Sequence, residues 1–156
     1  MEHFFNSRIA SFRKICLYGD FTVKLIDFSL CKANSLVLLS PISIEKIILK
    51  DALLDIAFFH LLNDTYDINL CSLKTADLFP LLNCKKLMNL DLTDADVPRR
   101  ALDDYLIALV KQHYGRRNCT ITLTSEPSGE YKEPGKDENG NYILSSGMEA
   151  VGVLVH

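Results

Sequence analysis

Four stretches of this chain carry one spacing of apolar residues, and that repetition restricts the possible folds more than any other feature. In the stretch from Leu87 to Val97, the side chains Leu87, Leu90, Leu92 and Val97 occupy relative positions 1, 4, 6 and 11, with Ala95 at position 9. Thr65, Ile68, Leu70, Leu73 and Thr75 hold the same positions 22 residues earlier. A further 21 residues back stand Ile44, Ile47, Leu49, Ala52 and Leu54, and 21 before those Val23, Ile26, Phe28, Cys31 and Ala33. Positions 4 and 6 are two apart, the period of a strand, and the rest of the spacing is too irregular for a helix. Self-similarity at such a period is the mark of stacked units, none of which can bury its apolar face alone.

Bulk properties narrow the class. With 156 residues the chain has the size of one ordinary domain. Its 48% apolar and 24% charged residues are those of a globular protein rather than a disordered or fibrous one. A net charge of −3 offers no general field for phosphate backbones, so the expectation is no nucleic-acid partner. Every apolar run is broken before it reaches the length of a membrane span, and the start Met1-Glu2-His3-Phe4-Phe5 lacks the pattern of a secretory signal. A cytoplasmic chain without membrane contact is the expectation. The five cysteines (Cys16, Cys31, Cys71, Cys84, Cys119) are odd in number and set in apolar patterns, which predicts reduced core thiols rather than a disulfide framework.

The repeat resembles the leucine-rich repeat family, whose unit reads L-x-x-L-x-L-x-x-N/C-x-L. Residues Phe79 to Leu87 leading into Leu90 and Leu92 carry the likeness best, and it extends over roughly residues 21 to 125. It implies an α/β, right-handed solenoid with a parallel sheet on one face and helices on the other. At position 9, where the family places an Asn whose side chain bonds neighbouring backbone, this chain has Cys31, Ala52, Leu73 and Ala95, and only Cys31 fits. Small and apolar side chains are expected to pack in place of that ladder. Residues 84 to 156 are also similar to bacterial and prophage repeat proteins, which implies a bacterial or phage-associated source.

Taken in order, residues 1–20 lie outside the repeat, and Ile9, Phe12, Ile15 and Leu17 predict an N-terminal cap closed by Gly19-Asp20. Strands are expected near 23–30, 45–50, 67–72 and 119–124, with Ser40-Pro41 interrupting the first return segment. The run Leu53 to Leu62 has the composition of a buried helix, and His60 inside it reads as a hydrogen-bonded core residue. Ala76 to Asn83 reads as a helical return shortened by Pro80. A longer helix is predicted over Arg99 to Tyr114, capped by Asp94 or Asp96 and closed by Gly115, with an apolar stripe of Leu102, Tyr105, Leu106, Leu109, Val110 and His113. Residues 126–156 read as an exposed loop with a turn at Asn139-Gly140, then a C-terminal capping segment whose apolar end suggests an edge strand or oligomer contact.

If positions 4 and 6 point inward, the residues between them face the opposite side of the sheet. Asp27, Ile48, Asn69, Asp91 and Thr122 then form a central row. Ser29, Lys50, Cys71, Thr93 and Thr124 flank it on one side, and Leu25, Lys46, Asp67, Asn89 and Thr120 on the other. A protein or peptide partner is expected on this face, at Asp27, Lys46, Ile48, Lys50, Asp67, Asn69, Asn89, Asp91, Thr93 and Thr122. The alternative is a structural or assembly subunit that self-associates as a homo-oligomer through its C-terminal edge. No residues support catalysis, and no metal or other cofactor is expected. Adjacent Asp103 and Asp104 diverge on a helix and read as a solvated face. Cys84, His113 and Cys119 lack the close pair of a zinc site, and Arg116-Arg117 serve the helix dipole. The absence of a nucleophile elbow, a zinc-protease helix and a phosphate loop points the same way, to a binding module rather than an enzyme.

Overall fold

The strand segments of all four repeats lie side by side in one parallel sheet. The computed structural model describes residues 2–6, 11–12, 14–19, 22–33, 36–38, 43–62, 64–112 and 119–155. The sheet has six strands in the order β1 (Glu2–Asn6), β4 (Thr22–Asp27), β7 (Ser43–Ile48), β8 (Asp67–Asn69), β9 (Asn89–Leu92) and β10 (Thr120–Leu123). Ile26 pairs with Ile47, Ile47 with Ile68, Ile68 with Leu90, and Leu90 with Ile121. The register therefore follows the sequence repeat, lengthened only at the last step.

This register stacks like on like. Ile26, Ile47, Ile68 and Leu90 are fully buried in one inward row, and Phe28, Leu49, Leu70 and Leu92 form a second. Burying each such side chain contributes roughly 1.5–3 kcal/mol, so these rows dominate the stability of the sheet. Position 1 adds Val23, Ile44 and Leu87, and at Thr65 a buried hydroxyl that donates to the carbonyl of Ile44 at 2.6 Å. The polar exception in the row is thus satisfied by the neighbouring strand.

Past each strand the chain reverses at a residue with left-handed backbone: Leu30, Asp51, Ser72 and Asp94 have φ between 54° and 60°. The amide of the next residue closes the turn, as in Cys31 to the Phe28 carbonyl at 3.0 Å and Leu73 to the Leu70 carbonyl at 3.1 Å. This directs position 9 inward, and Cys31, Ala52 and Leu73 are buried there while Ala95 is half-buried. The side-chain ladder that position 9 lacks has a backbone counterpart one residue later. Lys32 bridges Leu53 and Lys74 bridges Asp96 in parallel register. No bridge joins Leu53 to Lys74 among the described residues.

The return segments differ along the chain. In the N-terminal part they are strands: β2 (Ser11–Phe12) pairs with β5 (Lys32–Ala33), and β3 (Ile15–Leu17) with β6 (Leu36–Leu38), all parallel. Helices on that face, as the family likeness implies, begin only later. The predicted helix over 53–62 is a 3-10 helix at Ala57–Leu61 and the next return another at Phe79–Asn83. Asp55 and Asp77 start them by accepting the amides of Ala57 at 2.8 Å and Phe79 at 2.9 Å. A 3-10 helix rises about 2.0 Å per residue against about 1.5 Å for an α-helix, so a 21- or 22-residue unit closes its circuit with fewer residues. His60 is exposed, not in the core, and its Nδ1 meets the Ala57 carbonyl.

Among the described residues, the 31-residue step between β9 and β10 is the inter-strand segment that holds an α-helix, α1 (Arg99–Lys111). It buries Leu102, Tyr105, Leu106 and Leu109, and Val110 is half-buried. Its N-cap is Pro98 with no side-chain cap, so neither Asp94 nor Asp96 caps it. The C-terminal residues form not a strand but a second helix, α2 (Gly147–Leu154), packed on α1. Ser146 caps α2 by accepting the amide of Glu149 at 3.3 Å. The Glu149 carboxylate accepts both the amide and the hydroxyl of Ser145, at 2.8 and 2.9 Å, and lies 3.3 Å from Lys132. A Cβ on Gly147 would sit 2.1 Å from an Asp103 carboxylate oxygen and 2.6 Å from Pro127, so only glycine permits this approach.

The N-terminal segment is more than a cover. Phe4 pairs with Leu25 and Phe5 with Ile26, so β1 extends the sheet by one strand at the same 21-residue spacing. Ile9, Ser40-Pro41, His113, Gly115 and Arg116-Arg117 lie outside the described residues.

Candidate functional site

The sheet register assembles the open face as a grid. Leu25, Lys46, Asp67, Asn89 and Thr120 pair in one row, and Asp27, Ile48, Asn69, Asp91 and Thr122 in the next. Within the first row Lys46 Nζ lies 2.9 Å from an Asp67 carboxylate oxygen, and the Asn89 side-chain amide donates to the other oxygen at 3.1 Å. Three adjacent strands are thus joined by one polar chain centred on Asp67.

The central row is held differently. Asp27 Oδ1 accepts the amide of Ser29 at 3.0 Å and its hydroxyl at 2.6 Å. Asp91 repeats this with Thr93, at 2.9 and 2.6 Å, and Asn69 accepts the amide of Cys71 at 3.0 Å. Each side chain caps the strand end two residues on, just before the left-handed turn. Ile48, in the same row, has no polar group with which to do so. The Thr93 hydroxyl, together with its amide and the Cys71 thiol, holds the Asp91 carboxyl below the usual carboxylate range against the opposing effect of burial. Burial pushes the Cys71 thiol up, and its hydrogen bond to Asp91 adds to that.

The expected partner-binding residues therefore fall into three groups. Lys50, Asn89 and Thr122 are exposed. Lys46, Ile48, Asp67, Asn69, Asp91 and Thr93 are half-buried, most of them by bonds within the face. Asp27 is only 3% exposed, with its carboxylate turned to Ser29, and it offers little to a partner. The capping role of this row was readable as a short pattern, Asp27-x-Ser29 and Asp91-x-Thr93, that recurs at the repeat spacing.

Other candidates resolve into structural roles. Asp103 is not part of a solvated pair: both its oxygens accept from Ser128, amide at 2.9 Å and hydroxyl, which ties the 125–129 loop to α1. Asp104 is exposed, 3.9 Å from Arg100 one turn earlier. Cys84 is buried with its thiol 3.7 Å from the Phe59 carbonyl, Cys31 is buried, and Cys16 is exposed rather than in the core. Among the described residues no three His, Cys, Asp or Glu side chains could hold a metal ion. No helix of the described residues is long and apolar enough to cross a membrane.

A second surface feature lies beside the turns. A groove of about 660 Å³ is lined by Lys32, Leu53, Ile56, Lys74, Asp77 and neighbouring residues, with Leu53 57% exposed on its wall. It sits where the backbone bridge between Leu53 and Lys74 is missing. No family model, curated protein or solved structure gives a significant match to this chain.

Proposed function

We propose that the chain is a right-handed, leucine-rich-repeat-like solenoid that acts without catalysis, binding a protein or peptide partner in the cytoplasm through its open sheet face. One observation carries this reading. The face presents polar side chains whose geometry is fixed before any partner arrives, by the Lys46–Asp67–Asn89 chain and by the strand-end bonds of Asn69 and Asp91. Preorganised polar groups on a rigid sheet spare a partner the entropic cost of ordering them. Lys50, Asn89 and Thr122 are the exposed positions from which contact would be made. A photo-crosslinking side chain placed in turn at each of these three, and at Leu61 and Phe79 on the return side, tests it in cells. Partner adducts from the first set and none from the second are expected; the reverse distribution removes the reading.

The second reading is a subunit that self-associates at its C-terminal edge. Residues 142–156 hold the helix α2 rather than an edge strand, so the edge that could serve this reading is β10, which has a sheet neighbour on one side only among the described strands.

A further inference from the structure

Among the described strands, β10 has a sheet neighbour on one side only. In a parallel sheet both backbone groups of a residue face one neighbour, and the direction alternates along the strand. The Thr120 amide donates to the Met88 carbonyl at 2.9 Å, so Thr120 and Thr122 turn their backbone groups to β9. Ile121 and Leu123 then turn theirs outward, where no described strand meets them. Their side chains point the other way from the threonines and are only half-buried, although they extend the core rows of Leu90 and Leu92. Among the described strands none pairs with the outward groups of Ile121 and Leu123, and their side chains are only half-buried.

Edge strands are ordinarily protected by charge, proline or a bulge. From Cys119 to Ser125 the sequence is Cys-Thr-Ile-Thr-Leu-Thr-Ser, with no charged residue and no proline. The opposite edge, β1, carries Glu2 and has an irregular register between His3 and Phe4. Of the two edges of the six-stranded sheet, the β10 edge is the one without these protections among the described residues.

We propose that two copies of the chain join antiparallel through β10, about a two-fold axis at Thr122, into one continuous twelve-stranded sheet. The sequence is self-complementary in this arrangement. Ile121 of one copy exchanges both backbone hydrogen bonds with Leu123 of the other, and the symmetric pair repeats it. Thr122 meets Thr122 as the non-hydrogen-bonded pair, where side chains approach most closely. Thr120 faces Thr124 on the open side, while Ile121 covers Leu123 on the core side. No like charges oppose each other, and the contact closes on itself as a two-fold interface must. This association places the open-face position Thr122 at its axis and leaves Lys50 and Asn89 free for a partner, so a partner held at those two positions is a separate question.

Sedimentation equilibrium of the full chain tests it. The expected mass rises with concentration toward twice 17.6 kDa. Thr122→Lys places two cations at the axis and Leu123→Pro removes an outward amide that β9 does not use; both variants should sediment at 17.6 kDa with unchanged circular dichroism. Amide exchange gives a second readout that does not depend on a variant: Ile121 and Leu123 should gain protection with increasing protein concentration, and Thr120 should not. Wild-type protein that stays monomeric at several hundred micromolar overturns the proposal, as does a dimer that persists when folded Thr122→Lys and Leu123→Pro are both used.

Discussion

The two sides of this molecule are built from the same repeats and obey different rules. On the sheet side the four repeats are alike: a strand, two inward rows, a strand-end turn with left-handed backbone. On the return side the described segments change type, passing from paired strands at 11–12, 15–17, 32–33 and 36–38 to 3-10 helices at 57–61 and 79–83 and then to α1. The difference lies in what each side must satisfy. A strand in a sheet has to match the register of both neighbours, and a slip of one residue would turn its apolar rows outward. A return has only to close the circuit and bury a few side chains, which strands, 3-10 turns and α-helices can all do. The lengthened step before β10 shows how loose that requirement is.

The sharpest test of the contrast removes one inward side chain from each side. Ile68→Ala, in a fully buried row, should cost about 2–5 kcal/mol in urea unfolding. Leu38→Ala, in the half-buried return strand β6, should cost less than about half of that because its site can relax toward solvent. Equal losses would mean that the return side is as constrained as the sheet. Next in size is Gly147→Ala, whose added methyl meets Asp103 and Pro127; a loss of about 1–3 kcal/mol is expected from forcing α2 off α1, read as a lower thermal midpoint.

A smaller effect concerns the strand ends. Because the folded structure favours the charged Asp91, chiefly through the Thr93 hydroxyl, its contribution to stability is present above the ordinary aspartate range and is lost as pH falls through the lowered folded value. Asp91→Asn keeps the acceptor, as Asn69 does in the preceding unit, and removes the titration. Its urea midpoint should lie slightly below wild type at pH 7 and fall less steeply below about pH 4, so that the two converge in acid. The remaining acid sensitivity belongs in part to Asp137 and Glu149, whose carboxyls are also held low by backbone amides, chiefly those of Asn141 and Ser145. Smallest of all, Lys46→Met should change stability by less than about 1 kcal/mol, since its partner bond lies at the surface.

How much of this was legible follows the same division. The sheet register could be counted from the sequence because Ile26, Ile47, Ile68 and Leu90 stand at fixed intervals and pairing preserves them. The open-face rows followed from the strand period alone, although nothing in the sequence indicates that Asp27 is buried. The returns carry less signal. The run Leu53 to Leu62 is apolar almost throughout, so it has no period to distinguish a 3-10 turn from an α-helix, and the tighter geometry leaves His60 and Leu61 exposed. Ala150 to Val155 is rich in valine and reads locally as a strand, yet Ser146 caps it as a helix and α1 supplies the surface it packs on. Those decisions are made by tertiary contacts that no local pattern records.

The missing bridge between Leu53 and Lys74 has a mechanical consequence. On the side of the turns, backbone bonds among the described residues tie Lys32 to Leu53 and Lys74 to Asp96 but leave the middle pair unjoined. At the far end of the same two units, the Asn83 side chain donates to the His60 carbonyl and Lys86 meets Asp64 at 2.8 Å. That joint is held at its turn, where the Asp51 amide donates to the Cys71 carbonyl at 2.9 Å, and lacks a backbone bridge only beyond it. The groove of about 660 Å³ opens at that gap, so the two units are free to part beyond the turn while their strands and their far ends stay bonded.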